Sequence, residues 1–205
     1  MESLVTTAIE IGVAALPLPG QERCGDLHMC TPFSNGVVVA ALDGIGHGDE
    51  AASASRMAVA ILEAHAEEPL IAAVRQCHEG LRSTRGVVMS IACFNVSHNL
   101  MTWLGLGNVE GVLLRSPCAP PPTKETLLLR SGVLGGHLPQ LQVAVLPVSR
   151  GDTLIFATDG VSRSFSYEAA RHQPPQKAAE DILARHCKAT DDALVLVVRY
   201  LGNRA

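Results

Sequence analysis

Val37-Val38-Val39-Ala40-Ala41-Leu42 is a run of six apolar residues with no polar interruption. A strand of this kind is tolerated when both of its faces are covered, so the chain must fold with a layer on either side of it. The run stops on Asp43, and glycines follow at positions 44, 46 and 48. Glycine permits tight turns and lets the backbone come close to an ion or a phosphate. Asp49-Glu50-Ala51-Ala52 then reads as the start of a helix with acids in its first turn. Asp-Gly is also the hairpin-turn dipeptide, so this stretch alone signals only a turn.

The same construction recurs. Thr153 to Thr158 is a second buried-strand pattern, and it ends on Asp159-Gly160. Thr190-Asp191-Asp192 opens a third, Ala193 to Val198. If these strands share a core, Asp43, Asp159 and Asp191 converge at their mouths. Bare carboxylates held together repel one another and lose hydration, which is tolerable when cations sit between them. Oxygen ligands of this kind select Mg²⁺ or Mn²⁺ rather than zinc.

Taken in order, the chain predicts a strand over Val5 to Leu16 and a second over Arg23 to Met29, with Asp26 partway along it. A hairpin turn at Asn35-Gly36 follows, which would set Asp26 near Asp43. Residues 49–66 show apolar positions every three or four residues, as does Leu70, Val74, His78, Leu81, so two helices are expected. His78 reads as a packed core histidine. Strands are expected over Val87 to Val96, Leu100 to Leu106, Val109 to Arg115, Leu127 to Leu129 and Leu141 to Val148. A helix is expected around Pro175 to Cys187. Pro117 to Pro122 cannot join a central ladder and reads as a surface loop or edge. Asp152 reads as a hairpin-turn residue. With no repeat, linker or charge block, one domain over 1–205 is expected.

Composition removes several classes of function. A net charge of −4 lacks the basic footprint that a phosphate backbone needs, and 3% aromatic residues leave few platforms for base stacking. No nucleic-acid partner is expected. Apolar runs fall short of a membrane span, and an N-terminus with Glu2 and Glu10 lacks the basic region of a secretory signal, so no membrane partner is expected. The six cysteines, at 24, 30, 77, 93, 118 and 187, form no CxxC pair. That fits a reduced cytoplasmic compartment and gives no support to a zinc site.

Leu42-Asp43-Gly44-Ile45-Gly46-His47-Gly48, then Gly151-Asp152 with Ala157-Thr158-Asp159-Gly160-Val161, then Thr190-Asp191-Asp192-Ala193 resemble the sequence blocks of the metal-dependent Ser/Thr protein phosphatases, the PPM or type 2C family. Cys24-Gly25-Asp26 and Leu134-Gly135 match two lesser blocks in the right order, so the likeness runs from about residue 20 to 198. Within that family the chain is similar to the bacterial SpoIIE-like branch, and most of all to stressosome feedback phosphatases. The resemblance implies an α+β fold, a four-layer α-β-β-α sandwich of two mainly antiparallel sheets flanked by helices. It implies two Mn²⁺ or Mg²⁺ ions and hydrolysis of phosphoserine or phosphothreonine by metal-activated water, without a phosphoenzyme. The implied partner is a phosphorylated protein, a stressosome scaffold or antagonist in a partner-switching system.

By the same resemblance Asp43 would bridge two ions and the Gly44 carbonyl would hold one of them. Asp159 and Asp191 would bind the other, and Asp26 would hold metal-bound waters. Asp192 reads as a residue behind the ligands or a cap on the last strand. The chain also departs from the pattern. Where relatives carry a His as proposed general acid, it has Ile45, and His47 two residues on is the substitute or a turn residue. The phosphate-gripping Arg falls near Gln21, with Arg23 close by, and the Glu that precedes the first Asp is Gly25. Two rivals stand beside the phosphatase reading. A catalytically weak binding or regulatory module on the same fold would not need a cluster of repelling carboxylates. A haloacid-dehalogenase-type phosphatase needs an Asp two residues before its Asp-Gly, where this chain has Ala41 and Ala157. The loops at 116–126 and 131–140 are the expected docking segments.

Overall fold

A computed structural model describes residues 8–116, 121–162 and 168–202. Within these residues the strands are β1 (Ile9–Leu16), β2 (Asp26–Phe33), β3 (Gly36–Gly44), β4 (Val87–Asn95), β5 (Leu100–Leu106), β6 (Glu110–Leu114), β7 (Lys124–Thr126), β8 (Leu129–Arg130), β9 (Ala144–Pro147), β10 (Thr153–Ala157) and β11 (Ala193–Tyr200). The helices are α1 (Gly48–Ala64), α2 (Leu70–Gly80), α3 (Glu168–His172) and α4 (Pro175–His186). One sheet has the order β1-β11-β10-β6-β7 and the other β2-β3-β4-β5-β8, with β9 also pairing β5. All pairings are antiparallel except β5 with β8.

Strand alternation builds the layers. On β3, Val37, Val39 and Ala41 enter a central core with Leu194, Leu196 and Val198 of β11 and Leu154 and Phe156 of β10. The alternate residues Val38, Ala40 and Leu42 pack instead against Ala54, Ala58 and Leu62 of α1 and Val74 of α2. On the far side, Ile155, Val195 and Val197 pack against Ala178, Ala179 and Ile182 of α4. Period-two alternation thus gives every central strand two apolar faces, and the result is the expected α-β-β-α sandwich. Phe94 of β4 and Tyr200 of β11 stack across the two sheets with centroids 5.7 Å apart, and the Tyr200 hydroxyl donates to Asn99 Oδ1 at 2.7 Å.

Several boundaries differ from the sequence reading. The first described strand starts at Ile9, and residues 1–7 lie outside the described residues. Asp26 is the first residue of β2 rather than partway along it. The β2–β3 hairpin turns at Ser34-Asn35, because Phe33 pairs with Gly36. Gly36 belongs to the strand, where a Cβ would lie 1.9 Å from the Phe94 carbonyl oxygen, and close packing rather than turn geometry requires glycine there. Of the strand expected at Leu127 to Leu129 only Leu129 is in a strand, as the start of β8, with β7 lying just upstream, and Leu141 to Val148 narrows to β9. Most of Pro117 to Pro122, with Cys118, lies outside the described residues.

Asp152 does more than turn a hairpin. It is 1% exposed and accepts from Ser116 N at 2.7 Å, Ser149 N at 3.1 Å and Arg115 Nη1 at 2.9 Å. Arg115 also pairs with Glu125 of β7. A turn carboxylate thereby ties the edge of one sheet to the start of β10, which no local pattern announces.

Candidate metal centre

Asp26 and Asp43 are opposite one another in the β2–β3 ladder. Asp43 continues the parity of Val37, Val39 and Ala41, so β3 aims it into the gap between the sheets, just past the end of the apolar core. From the other sheet, β10 and β11 run antiparallel and bring Asp159 to the segment Asp191-Asp192. Thr158 N donates to Leu194 O at 3.0 Å and Leu194 N to Thr158 Oγ1 at 2.8 Å, which locks the two strand ends together. Five carboxylates, from residues 26, 43, 159, 191 and 192, therefore meet at one end of the sandwich and act on one another.

Their chemistry is that of an anionic cluster short of positive charge. Burial, aided by Asp192, Asp191 and Asp159, pushes the Asp26 carboxyl up to about 7, with a Thr158 hydrogen bond opposing. Burial, then Asp26, Asp159, Asp191 and Asp192, pushes Asp43 up to about 8. Near the Asp43 turn, Arg23 pairs with Asp49 and Arg85 with Glu50, while Lys188 donates to the backbone carbonyl of Asp159. Asp26 Oδ2 is buried without a hydrogen-bond partner.

The five carboxylates divide by their partners. Asp192 is 3% exposed and spends both oxygens on backbone, accepting from Leu18 N at 2.7 Å and Gly25 N at 2.8 Å. It braces the loop before β2 against the start of β11. Asp191 accepts from Asp192 N at 2.9 Å. Asp159 accepts from Asn108 Nδ2 at 2.7 Å through Oδ2, while Asn108 Oδ1 is buried without a partner. Sequence reasoning passed over Asn108 and Thr158. Asn108 stands between two expected strands, and nothing local shows that it lands on Asp159.

Glycine makes the turn possible. A Cβ on Gly44 would lie 2.3 Å from Ala51 O and 2.7 Å from Ser55 Oγ, so α1 packs directly on the end of β3. Gly44 N donates to Gly25 O at 3.3 Å, and Ser55 Oγ donates to the same carbonyl at 2.6 Å. A Cβ on Gly25 would stand 2.9 Å from both Ala51 Cβ and Asp192 Oδ2. The departure from Glu at this position has a steric cause, because Asp192 and α1 already occupy the space. His47 heads α1 in extended backbone, exposed and without a side-chain capping bond, and the structure does not bring it among the carboxylates. Ile45 is 37% exposed beside it.

The residues present fit a hard divalent cation. The donors are oxygens, one of them is buried and unpartnered, and two carboxyls are raised by burial and then by repulsion that a cation would relieve. Among the described residues no three His, Cys, Asp or Glu side chains by themselves enclose an ion. Mg²⁺ does not require such a cage, since it keeps several waters and binds through one or two carboxylates. Beside the cluster, Ile45, Asn108, Ser131, Gly132, Val133 and His137 line an open cleft, so the 131–140 loop borders the site. His78, buried on α2, accepts from Gly135 N at 3.1 Å and fastens that loop.

Comparison with known proteins gives consistent results. The family model described as Stage II sporulation protein E (SpoIIE) matches residues 34–201. The phosphoserine phosphatase RsbX of Bacillus subtilis (strain 168) is 26% identical over 156 residues, covering 75% of each chain. A chain from a solved structure of the bacterial stressosome, a modular system adapted to control secondary messenger signalling, superposes with a TM-score of 0.86. It is 27% identical, over 93% of this chain and 99% of that one. A crystal structure of RsbX in complex with magnesium superposes with a TM-score of 0.82 at 21% identity, over 94% of this chain and 95% of that one, and shows the shared fold.

Proposed function

Because the chain belongs to the stage II sporulation protein E (SpoIIE) family of PP2C-type serine/threonine phosphatases, we propose that it hydrolyses phosphoserine or phosphothreonine in a partner protein, using Mg²⁺ or Mn²⁺ at the carboxylate cluster. The observation that carries this reading is the convergence of Asp26, Asp43, Asp159 and Asp191 at one end of the sandwich, where burial and then the neighbouring carboxylates raise the Asp26 and Asp43 carboxyls. Such a cluster is costly unless cations complete it.

Asp43 and the Gly44 carbonyl would hold one ion, with Asp43 shared to a second that Asp159 and Asp191 complete. Asp26 would accept hydrogen bonds from ligand waters through its unpartnered oxygen. Two such ions, when bound, activate a water and neutralise charge on the phosphoryl group. Asn108 keeps one Asp159 oxygen fixed, and Asp192 holds the loop that carries Asp26. In the net reaction the water oxygen forms a bond to phosphorus, the ester P–O bond breaks, and the serine or threonine oxygen leaves with a proton. The position two residues after Leu42-Asp43 offers no proton, since it is Ile45.

The relatives support the choice of substrate class. RsbX acts on phosphoserine by its name, and a chain from structural work on the bacterial stressosome shares this fold at 27% identity. The proposal is therefore a phosphorylated stress-signalling protein of the stressosome type, met in the cytoplasm by a single catalytic domain spanning 1–205. No helix among the described residues is long and apolar enough to cross a membrane. The test is phosphate release from phosphoserine and phosphothreonine peptides with Mn²⁺, with Mg²⁺ and with chelator, on wild type and Asp43→Asn. Metal-dependent turnover that the variant loses supports the reading. A folded protein that binds phosphopeptide but turns none over under any metal would leave a binding module instead.

A further inference from the structure

The Asp43–Gly48 turn is gripped from two sides by backbone. Gly25 O accepts from Gly44 N on the β2 side, and Gly86 O accepts from Ile45 N at 3.0 Å on the β4 side. Each of those carbonyls lies close in sequence to an arginine. Arg23, on the first side, is the residue to which the family resemblance already points. Arg85, on the second, is singled out by no motif.

Arg85 is placed with care. Thr84 Oγ1 donates to Leu81 O at 2.7 Å and accepts from Gly86 N at 3.0 Å, so the backbone on both sides of Arg85 is tied to the buried end of α2. Gly86 has φ +89° and a Cβ there would lie 2.5 Å from Leu134 O, which leaves this backbone one course. The next residue, Val87, pairs with Gly44 in the β3–β4 ladder. From this fixed base the guanidinium extends over the turn, where its Nη1 stands 2.8 Å from the position of a Cβ on Gly46. Its side chain is 54% exposed, and its ion-pair partner, Glu50 in the first turn of α1, is 69% exposed.

An exposed Arg–carboxylate pair contributes little and exchanges readily. A phosphate dianion offers the same guanidinium a stronger, bidentate partner. Glu50 is then a placeholder that keeps the guanidinium extended beside the turn until substrate arrives. Building on the phosphatase reading, we propose that Arg85 is a substrate-binding residue that leaves Glu50 to grip the non-bridging oxygens of the substrate's phosphoryl group at the mouth of the Asp43 cluster. The assignment supplies the phosphate contact that Gln21 cannot make, since that side chain is neutral and stands against Gly48.

The test is steady-state kinetics of the full chain with Mn²⁺, on a phosphoserine peptide and on an aryl phosphate, with inorganic phosphate as competing ligand. The variants are Arg85→Ala, Arg85→Lys and Glu50→Gln, each checked for an unchanged melting temperature. Losing a charged hydrogen-bond partner is expected to raise KM about tenfold or more for both substrates and to weaken phosphate inhibition by a similar factor, with kcat within about threefold. Lysine should restore part of the loss, and Glu50→Gln should lower KM. Unchanged KM and unchanged phosphate inhibition in Arg85→Ala would overturn the assignment while leaving the phosphatase reading intact. If wild type shows no turnover, that reading fails separately. Calorimetric titration of the Mg²⁺-loaded protein with inorganic phosphate then decides for Arg85, with equal binding by wild type and Arg85→Ala ruling it out.

Discussion

Asp26 and Asp43 face each other across a single antiparallel ladder position, one on the edge strand β2 and one on its neighbour β3. Directly opposed residues share a sheet face, and like charges there are destabilising. Here the pair also points toward Asp159, Asp191 and Asp192.

The first expected consequence concerns pH. Both carboxyls are raised above the ordinary 3.8, to about 7 and about 8. Between those limits the folded state binds more protons than the unfolded one, so stability must fall as pH rises from about 4 to about 8. Melting of metal-free protein should drop by several degrees across that range, and millimolar Mg²⁺ or Mn²⁺ should recover the loss at the alkaline end. A flat profile without metal would mean that the cluster is already neutralised by something else.

Removing one of the two charges should separate stability from activity. Asp43→Asn is expected to melt higher than wild type in chelator at pH 8, because repulsion is relieved. It should lose activity by about a hundredfold or more, since developing charge is no longer stabilised. Parallel loss of both properties would indicate a scaffold role for Asp43.

Asp191 and Asp192 are adjacent in sequence but differ in job. Asp192→Ala strands the amides of Leu18 and Gly25, and a cost of about 1–3 kcal/mol is expected, most of it from the buried Gly25 donor left unpaired. Asp191→Ala, at a half-buried position with one neighbouring amide, should melt within a degree or two of wild type yet bind Mg²⁺ more weakly. Denaturant titration with and without metal distinguishes the two.

Asn108→Ala frees an Asp159 oxygen without removing a proposed ligand. Residues that orient ligands typically contribute 10- to 100-fold to metal affinity or activity, so a loss of about tenfold is expected, read as a raised Mg²⁺ requirement with little change in melting. No shift in the metal requirement would make the contact with Asp159 incidental.

Gly44→Ala tests the close approach of α1. With Ala51 O only 2.3 Å from the added Cβ, either helix or strand must move, and a destabilisation of about 1–3 kcal/mol is expected along with lowered activity. Gly20→Ala is the contrast, with φ +89° but open space around it, so its effect should be the smaller backbone cost alone.

Much of this molecule was readable from the chain because the decisive forces are local or periodic. Unbroken apolar runs at Val37–Leu42 and Ala193–Val198 demand cover on both faces, which is sufficient to require layers. The strand-then-Asp-Gly construction marks where those runs end, and alternation carries Asp43 to the inner face. What depends on partners distant in sequence was not readable. Asn108 meets Asp159, Asp192 holds Gly25, Asp152 anchors Arg115, and Arg85 leans over Gly46. Each of these pairs joins segments between 37 and 167 residues apart. Burial and period-two geometry act residue by residue, so the layers and the carboxylates at the strand ends are legible along the chain. That Asp192 spends both oxygens as a brace while Asp26 keeps one unpartnered follows from packing alone, because hydrogen-bond satisfaction and charge repulsion depend on what the fold brings within reach.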